Sequence, residues 1–281
     1  MQATNAISKD LTININTFLV RPQTNVKLRQ YDPDYGKKQP RKMEQAEIEL
    51  SELSNHMSHL QYKLFADRSK ALLVILQGVD TSGKDGTIRH VMEAFNPQSC
   101  RVVPFKTPTT EEIAHDYLWR VHKALPSKGE ITIFNRSHYE DIIEVRVHKI
   151  IPRSVWYQRY RQINEFEQYL SENNIKIIKL FLHISKDEQN KRLEDRLKDP
   201  KKRWKIDEKD IQKRKYWDEY LKAHEDIINK CNASWAPWYI IPSNIKWFRN
   251  ILAATILVHI LESMNLSFPK PKVDISKMTI E

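Results

Sequence analysis

Between Glu44 and Phe65 the apolar residues fall at helical spacing: Leu50, Leu53, Met57, Leu60 and Leu64 recur every three or four positions. The stripe covers little more than two heptads, which predicts an amphipathic helix packed on a core rather than a coiled-coil seam. The pattern then changes period. Ala71–Gln77 is an unbroken apolar run, as in a strand buried on both faces. A helix is predicted over Lys84–Phe95 with Ile88, Val91, Met92 and Phe95 inward, then a second strand over Arg101–Phe105. Thr109-x-x-Glu112 reads as a capping box, opening one helix whose inward face is Ile113, Tyr117, Leu118, Val121 and Leu125.

Ile131–Phe134 is the third predicted strand, followed by helices over Glu140–Val147 and Trp156–Leu170 and a long fourth strand over Ile175–Ile184. Ser185-x-x-Glu188 is a second capping box, and a helix is expected from Asp207 to Lys230. Trp238–Ile241 makes a fifth strand, and a last helix runs to Met264. Residues 1–42, with Pro22, Pro33 and Pro40, read as an extended N-terminal arm, and PKPKVDISKMTIE as a loose tail. Strand and helix alternating five times predict an α/β fold: three α/β/α layers around a five-stranded, mostly parallel sheet. Residues 43–281 form one domain in this reading, with a helical lid at 186–215.

Composition narrows the class. In 281 residues, 40% are hydrophobic and 29% charged, which fits a folded globular chain. Cys100 and Cys231 are far apart and form no C-x-x-C pair, pointing to a reduced, cytoplasmic protein without disulfides. The start lacks a signal-peptide pattern, and Ile251–Leu261 is too short to span a bilayer, so neither export nor a membrane partner is expected. The net charge is +10, and residues 186–215 hold 13 basic against 8 acidic side chains. Such a surplus suits a polyanionic partner, although a charge run is also what a solvated helix face looks like.

The candidate chemistry sits between the first strand and the next helix. Only five glycines occur in the chain, and three of them, Gly78, Gly83 and Gly86, fall within nine residues. Gly78-x-x-x-x-Gly83-Lys84 has the spacing of a phosphate-cradling loop, whose backbone N–H groups curl around an anion while the lysine supplies charge. Asp85 stands where Ser or Thr is usual, and Asp80 lies inside the loop. Two carboxylates beside phosphates repel them unless a hard cation such as Mg²⁺ lies between. The lesser alternative for Asp85 is a first-turn acid favoured by the helix dipole. The third strand ends in Asn135-Arg136 where a metal-orienting Asp is common, so metal binding reads as shifted into the glycine loop. Arg136 can present a fork to phosphate oxygens. Arg146 can reach back toward it or pair with Glu144 or Asp141. His138 reads as packing or a surface contact. Lys106 ends the second strand on the same sheet edge, as a phosphate contact or a solvated lysine. Arg192 and Arg196 share a helix face in the basic segment, which also carries Lys202 and Arg203.

These motifs together resemble the second family of polyphosphate kinases: G-x-D-x-x-G-K-D at Gly78–Asp85, F-x-R-S-x-Y at Phe134–Tyr139 with Arg146, the basic lid, Ala236-Pro237-Trp238 and Lys246-Trp247-Phe248. The likeness runs from about Tyr31 to Met264, and NRSHYED at Asn135–Asp141 is most similar to class III of that family. Thr81-Ser82 departs from the alanines common there. The resemblance implies a Mg²⁺-dependent, reversible transfer of the terminal phosphoryl group of inorganic polyphosphate to ADP and AMP, by a homodimer or homotetramer; base preference is left open, with GDP and GMP as candidates. It implies Asp80, Lys84, Asp85 and Arg136 as catalytic residues, with Asp80 and Asp85 on the metal. Gly78, Ser82, Gly83, Lys84, Gly86, Arg136 and Arg146 would hold phosphate, assisted by Arg192, Arg196 and Arg203. Lys106, Asn135 and Asp141 would serve the nucleotide. Two alternatives are an ATP-dependent nucleotide kinase and a nucleic-acid-binding module using residues 186–215; no nucleic-acid partner is expected.

Overall fold

The computed structural model describes residues 13–40, 43–205, 212–273 and 278. Five strands, β1 (Ala71–Gln77), β2 (Cys100–Pro104), β3 (Ile131–Asn135), β4 (Ile175–His183) and β5 (Trp238–Pro242), form one sheet in the order β2-β3-β1-β4-β5. Every neighbouring pair is parallel. All seven residues of central β1 are buried, which is why its sequence does not alternate. Successive residues still serve opposite faces. Leu72, Val74 and Leu76 join one core with helices α1 (Met43–Asp67), α2 (Lys84–Val91) and α9 (Lys246–Ser263). Leu73 and Ile75 join the other with α5 (Glu140–Val147), α6 (Arg153–Glu172) and α8 (Trp217–Lys230). These two layers of helices enclose the sheet.

Both edges of the sheet differ in finish. β2 is largely exposed. β5 is strapped by the segment 13–40, where Val20 N–H donates to the Trp238 carbonyl at 2.9 Å and Ile240 N–H to the Phe18 carbonyl at 2.9 Å. Phe18, Val20, Val26 and Leu28 of that strap are buried.

Several elements differ from the periodicity. The helix expected from Thr110 is two short pieces, α3 (Thr110–Ile113) and α4 (Trp119–Lys123). The Thr109–Glu112 capping box forms, but Asp116 Oδ1 accepts the Leu118 N–H at 2.9 Å and gives the backbone a turn in place of a helix. Ile113, expected inward, is 70% exposed, while Val121 is buried. α2 ends at Val91, and a 3₁₀ turn over Met92–Ala94 still brings Met92 and Phe95 inward. Only half of the second capping box is present at α7 (Lys186–Lys198). The Ser185 hydroxyl accepts the Glu188 N–H at 3.1 Å, but Ser185 N–H donates to Asn244 at 3.1 Å and Glu188 turns to Arg192. The start expected at Asp207 lies outside the described residues; after it, a 3₁₀ turn at Arg214–Tyr216 leads into α8. Much of the expected loose tail likewise lies outside them.

Candidate active site

The glycine loop joins the carboxyl end of β1 to α2, and its backbone uses conformations that side chains resist. Gly78 has φ +150°, and a Cβ there would lie 2.7 Å from both the Leu182 carbonyl and Ser82 Oγ. Thr81 and Arg136 adopt φ of +65° and +64° without being glycine. Left-handed backbone at two non-glycine residues is strain that the surrounding fold must hold, and it clusters at functional sites. Lys84 folds back over the loop: its ammonium donates to the carbonyls of Gly78 at 2.7 Å and Val79 at 3.1 Å. Burial, aided by Arg136, lowers that ammonium to about 8, against the opposing charges of Asp80, Glu140 and Asp85. Thr81 Oγ1 and Ser82 Oγ are buried and make no hydrogen bond among the described residues.

β3 lies beside β1 in the register Leu76↔Asn135, which sets the strand end against the loop. Asn135 donates to Asp85 Oδ1 at 2.9 Å, and Arg136 donates to Asp80 Oδ1 at 2.6 Å. Lys213, shortly before α8, donates to Glu144 at 3.0 Å and lies 4.0 Å from Asp80. Burial opposes ionisation of Asp80, but the charges of Arg136, Lys84 and Lys213 outweigh it and hold its carboxyl below the ordinary value. Neighbouring Glu140 is raised by burial, with Arg136 opposing and Glu144 adding to the shift.

One cleft of about 880 Å³ gathers Asp80, Lys84, Asp85, Lys106, Asn135 and Arg136, together with Gly83, Gly86, Arg192 and Arg196. Other expected residues lie elsewhere or are engaged differently. Arg192 is a clamp whose donors are occupied: Glu188 at 2.7 Å, the carbonyls of Thr81 and Ser82 at 2.9 and 3.1 Å, and those of Ser243 and Asn244 at 2.6 and 3.1 Å. Arg203 donates to the Leu197 carbonyl at 2.9 Å and closes the end of α7. Arg146 pairs with Asp226 at 2.8 Å and donates to the Tyr160 hydroxyl at 3.1 Å, on the α6–α8 side of α5. Its partner is neither Glu144 nor Asp141. Asp141 pairs with Arg120 at 2.9 Å, and Arg120 in turn donates to the Lys106 carbonyl at 3.0 Å. Asp141 is therefore held by Arg120 and does not itself line the cleft. His138 is fully buried against Glu167, so its packing alternative holds.

Arg249 carries the loop's least expected contact. A Cβ on Gly83 (φ +108°) would lie 2.0 Å from its Nη1, and one on Gly86 would lie 3.1 Å from its Nη2. The room these glycines leave is thus filled by a guanidinium as well as offered to a ligand. The available sequence signal was Lys246 and Arg249 spaced i, i+3 on the first turn of the last helix, hidden inside a largely apolar run.

For a metal, the donors present are hard oxygens: the carboxylates of Asp80 and Asp85 and the side-chain carbonyl of Asn135, all on the cleft wall. Among the described residues no three or more His, Cys, Asp or Glu side chains gather into a cage. One or two carboxylates completed by phosphate oxygens and water is the donor set that suits Mg²⁺.

Comparison with known proteins gives a consistent result. The family model described as Polyphosphate kinase 2 (PPK2) matches residues 40–269. The AMP/ADP-polyphosphate phosphotransferase of Meiothermus ruber is 45% identical over 264 residues, covering 94% of this chain and 99% of that protein. The ADP-polyphosphate phosphotransferase of Rhodopseudomonas palustris is 40% identical, covering 76% of this chain and 78% of its own. The crystal structure of polyphosphate kinase 2 from Arthrobacter aurescens TC1 superimposes with a TM-score of 0.89 at 38% identity, over 92% of this chain and 93% of that one. With the strand order, the strained glycine loop and the paired carboxylates all on one sheet edge, and a family model spanning residues 40–269, the chain belongs to the polyphosphate kinase 2 family.

Proposed function

We propose that this enzyme transfers the terminal phosphoryl group of inorganic polyphosphate to ADP and AMP. The observation that carries the reading is the cleft, where eight Lys and Arg side chains face four Asp and Glu. A cation surplus of that size around one cleft suits a chain of phosphates better than a single nucleotide. The naming of the Meiothermus ruber relative supports both acceptors.

An oxygen of the acceptor phosphate attacks the terminal phosphorus of the chain. The bond to the penultimate phosphate breaks, and its electron pair stays on the shortened chain. The nucleophile is already anionic, so no strong base is required, and positioning with charge stabilisation supplies the catalysis. Lys84 spends two of its donors on loop carbonyls and keeps the third for phosphate. Arg136, held at Asp80, brings a planar fork to the oxygens that gain charge. The first N–H groups of α2 point their positive end at the same place. Asp80 and Asp85, with Asn135, would hold Mg²⁺, which when bound neutralises phosphate charge. Assembly as a dimer or tetramer rests on the resemblance, and a cytoplasmic location on two free cysteines, Cys100 and Cys231.

The test is ATP formation from ADP, and ADP formation from AMP, with polyphosphate as sole donor and Mg²⁺ present; GDP and GMP are run alongside. Turnover is expected with each adenine nucleotide. Turnover only when ATP is supplied as donor would overturn the reading in favour of an ordinary nucleotide kinase.

A further inference from the structure

Gln77 closes the central strand, and it is an unexpected residue for the place. The six residues before it in β1 are apolar, and Gln77 is as fully buried as they are. Its Nε2 donates to Ser137 Oγ at 3.0 Å, while its Oε1 is buried and accepts no hydrogen bond among the described residues. An apolar side chain of the same length would orphan no acceptor, so stability alone does not call for an amide here. A half-satisfied amide at the end of a core strand asks for another explanation.

The amide lengthens the ladder between two strands. β1 and β3 pair in parallel as far as Leu76↔Asn135. One residue on, the Arg136 N–H still donates to the Leu76 carbonyl at 3.0 Å, but a φ of +64° swings the backbone out of the strand. Gln77 reaches across with its side chain, and Ser137 receives it. The same serine hydroxyl accepts the Tyr139 N–H at 3.2 Å, which fixes the turn into α5. Arg136 is thus pinned on both sides, by Leu76 at its own N–H and by Gln77 through the residue after it. A left-handed backbone under a long side chain persists only where its surroundings hold it. This turn carries the guanidinium to Asp80 Oδ1, 2.6 Å away, beside the glycine loop that begins one residue after Gln77.

We propose that Gln77 and Ser137 are positioning residues for phosphoryl transfer: their side-chain bond holds the left-handed turn at Arg136, and with it the angle at which the guanidinium meets the moving phosphoryl group. Both side chains are sealed from solvent, so they act through Arg136 and not on the substrate. Their effect falls on the transition state. A loosely aimed fork still attracts phosphate in the ground state, but it follows the developing charge poorly.

The inference rests on the polyphosphate-kinase reading with Arg136 on the phosphate, and the two fail separately. Wild-type protein that turns over only with ATP as donor fails the reading; the same variants measured with ATP then decide the inference. The experiment compares kcat, KM for polyphosphate and for ADP, and the thermal midpoint in wild type, Q77M, S137A and S137T. Q77M is expected to lower kcat about tenfold to a hundredfold, with both KM values unaltered and the midpoint no lower than wild type. S137A should lower kcat similarly, and S137T, which keeps the hydroxyl, should recover most of it. The double variant Q77M/S137A should be no slower than the slower single, because both remove one bond. In an R136K background, Q77M should cost much less than it does in wild type. A wild-type kcat in Q77M, or the same fractional loss with and without R136K, would overturn the proposal. So would a crystal structure of Q77M in which Arg136 keeps its positive φ and its contact with Asp80. Should Q77M fail to fold, S137A and S137T decide the matter through the same split between kcat, KM and midpoint.

Discussion

Two clusters of charge in this fold could hardly be finished more differently. Under the sheet, Lys179 donates to Glu167 at 2.6 Å, to the Tyr139 hydroxyl at 3.0 Å and to the Cys231 carbonyl at 2.7 Å. Tyr139 passes its own proton toward Glu167 at 2.8 Å, and His138 closes the ring at 3.2 Å. Burial works against the charge on Glu167, yet Lys179 and His138 keep its carboxyl below the ordinary value. One acid meets one base, and every donor of the ammonium is used. At the glycine loop the cations outnumber the acids, and among the described residues Arg249 has no carboxylate partner. A buried charge that serves the fold brings its counter-ion with it; one that serves a substrate leaves that place to the substrate.

Breaking the closed cluster should cost stability and little else. Lys179→Met strands Glu167 in the core and is expected to lower unfolding free energy by about 3–5 kcal/mol. Denaturant titration reads this, and adding Glu167→Leu should restore most of it; a double variant as unstable as the single would show that the cluster is not a simple pair. Breaking the open cluster should do the reverse. Lys84→Ala is expected to lower kcat by about 10²–10³, with thermal unfolding at or above the wild-type midpoint, because it removes a buried charge depressed to about 8. Near-normal turnover in that variant would remove Lys84 from the mechanism.

Gly83→Ala sharpens the contrast, since its Cβ would meet Arg249 Nη1 at 2.0 Å and φ is +108°. A stability loss of about 1–3 kcal/mol is expected from the backbone alone, together with a lowered kcat because the loop backbone that curls around phosphate must shift. The smallest effect is in the pH profile. Lys84 in the free protein loses its proton as pH rises through about 8, so kcat/KM for polyphosphate should fall about tenfold per unit above that point. The limb on kcat should lie at higher pH, where bound phosphate restores the ammonium. A kcat/KM flat to pH 9.5 would mean that Lys84 is already compensated in the free protein.

The inner strands were legible because a parallel sheet buries both of their faces and leaves continuous apolar runs: Ala71–Gln77 is β1 residue for residue. The glycine loop was legible because glycine is scarce and the strand and helix around it have the required order. What the sequence hid was set by partners distant along the chain. Asp116 broke a predicted helix by accepting one N–H. Arg146 found Asp226, eighty residues away, and Arg192 was absorbed by carbonyls of the glycine loop and of the turn after β5. Arg249 was invisible as a site residue because its meaning lies in a contact with Gly83, and no periodicity encodes that.

The strap of residues 13–40 bears on how the protein is handled. The family match begins at residue 40, inviting a trim at that boundary. The trimmed chain would lose the bonds at Trp238 and Ile240 and leave β5 an open edge, and with it the Asn244 N–H to Pro33 carbonyl bond, at 3.1 Å, that steadies the turn holding Arg192. An open parallel-sheet edge of apolar residues recruits strands from other molecules. Shortening this enzyme to its recognisable motif would therefore yield a protein that sticks to itself, with a slackened cleft as the lesser injury.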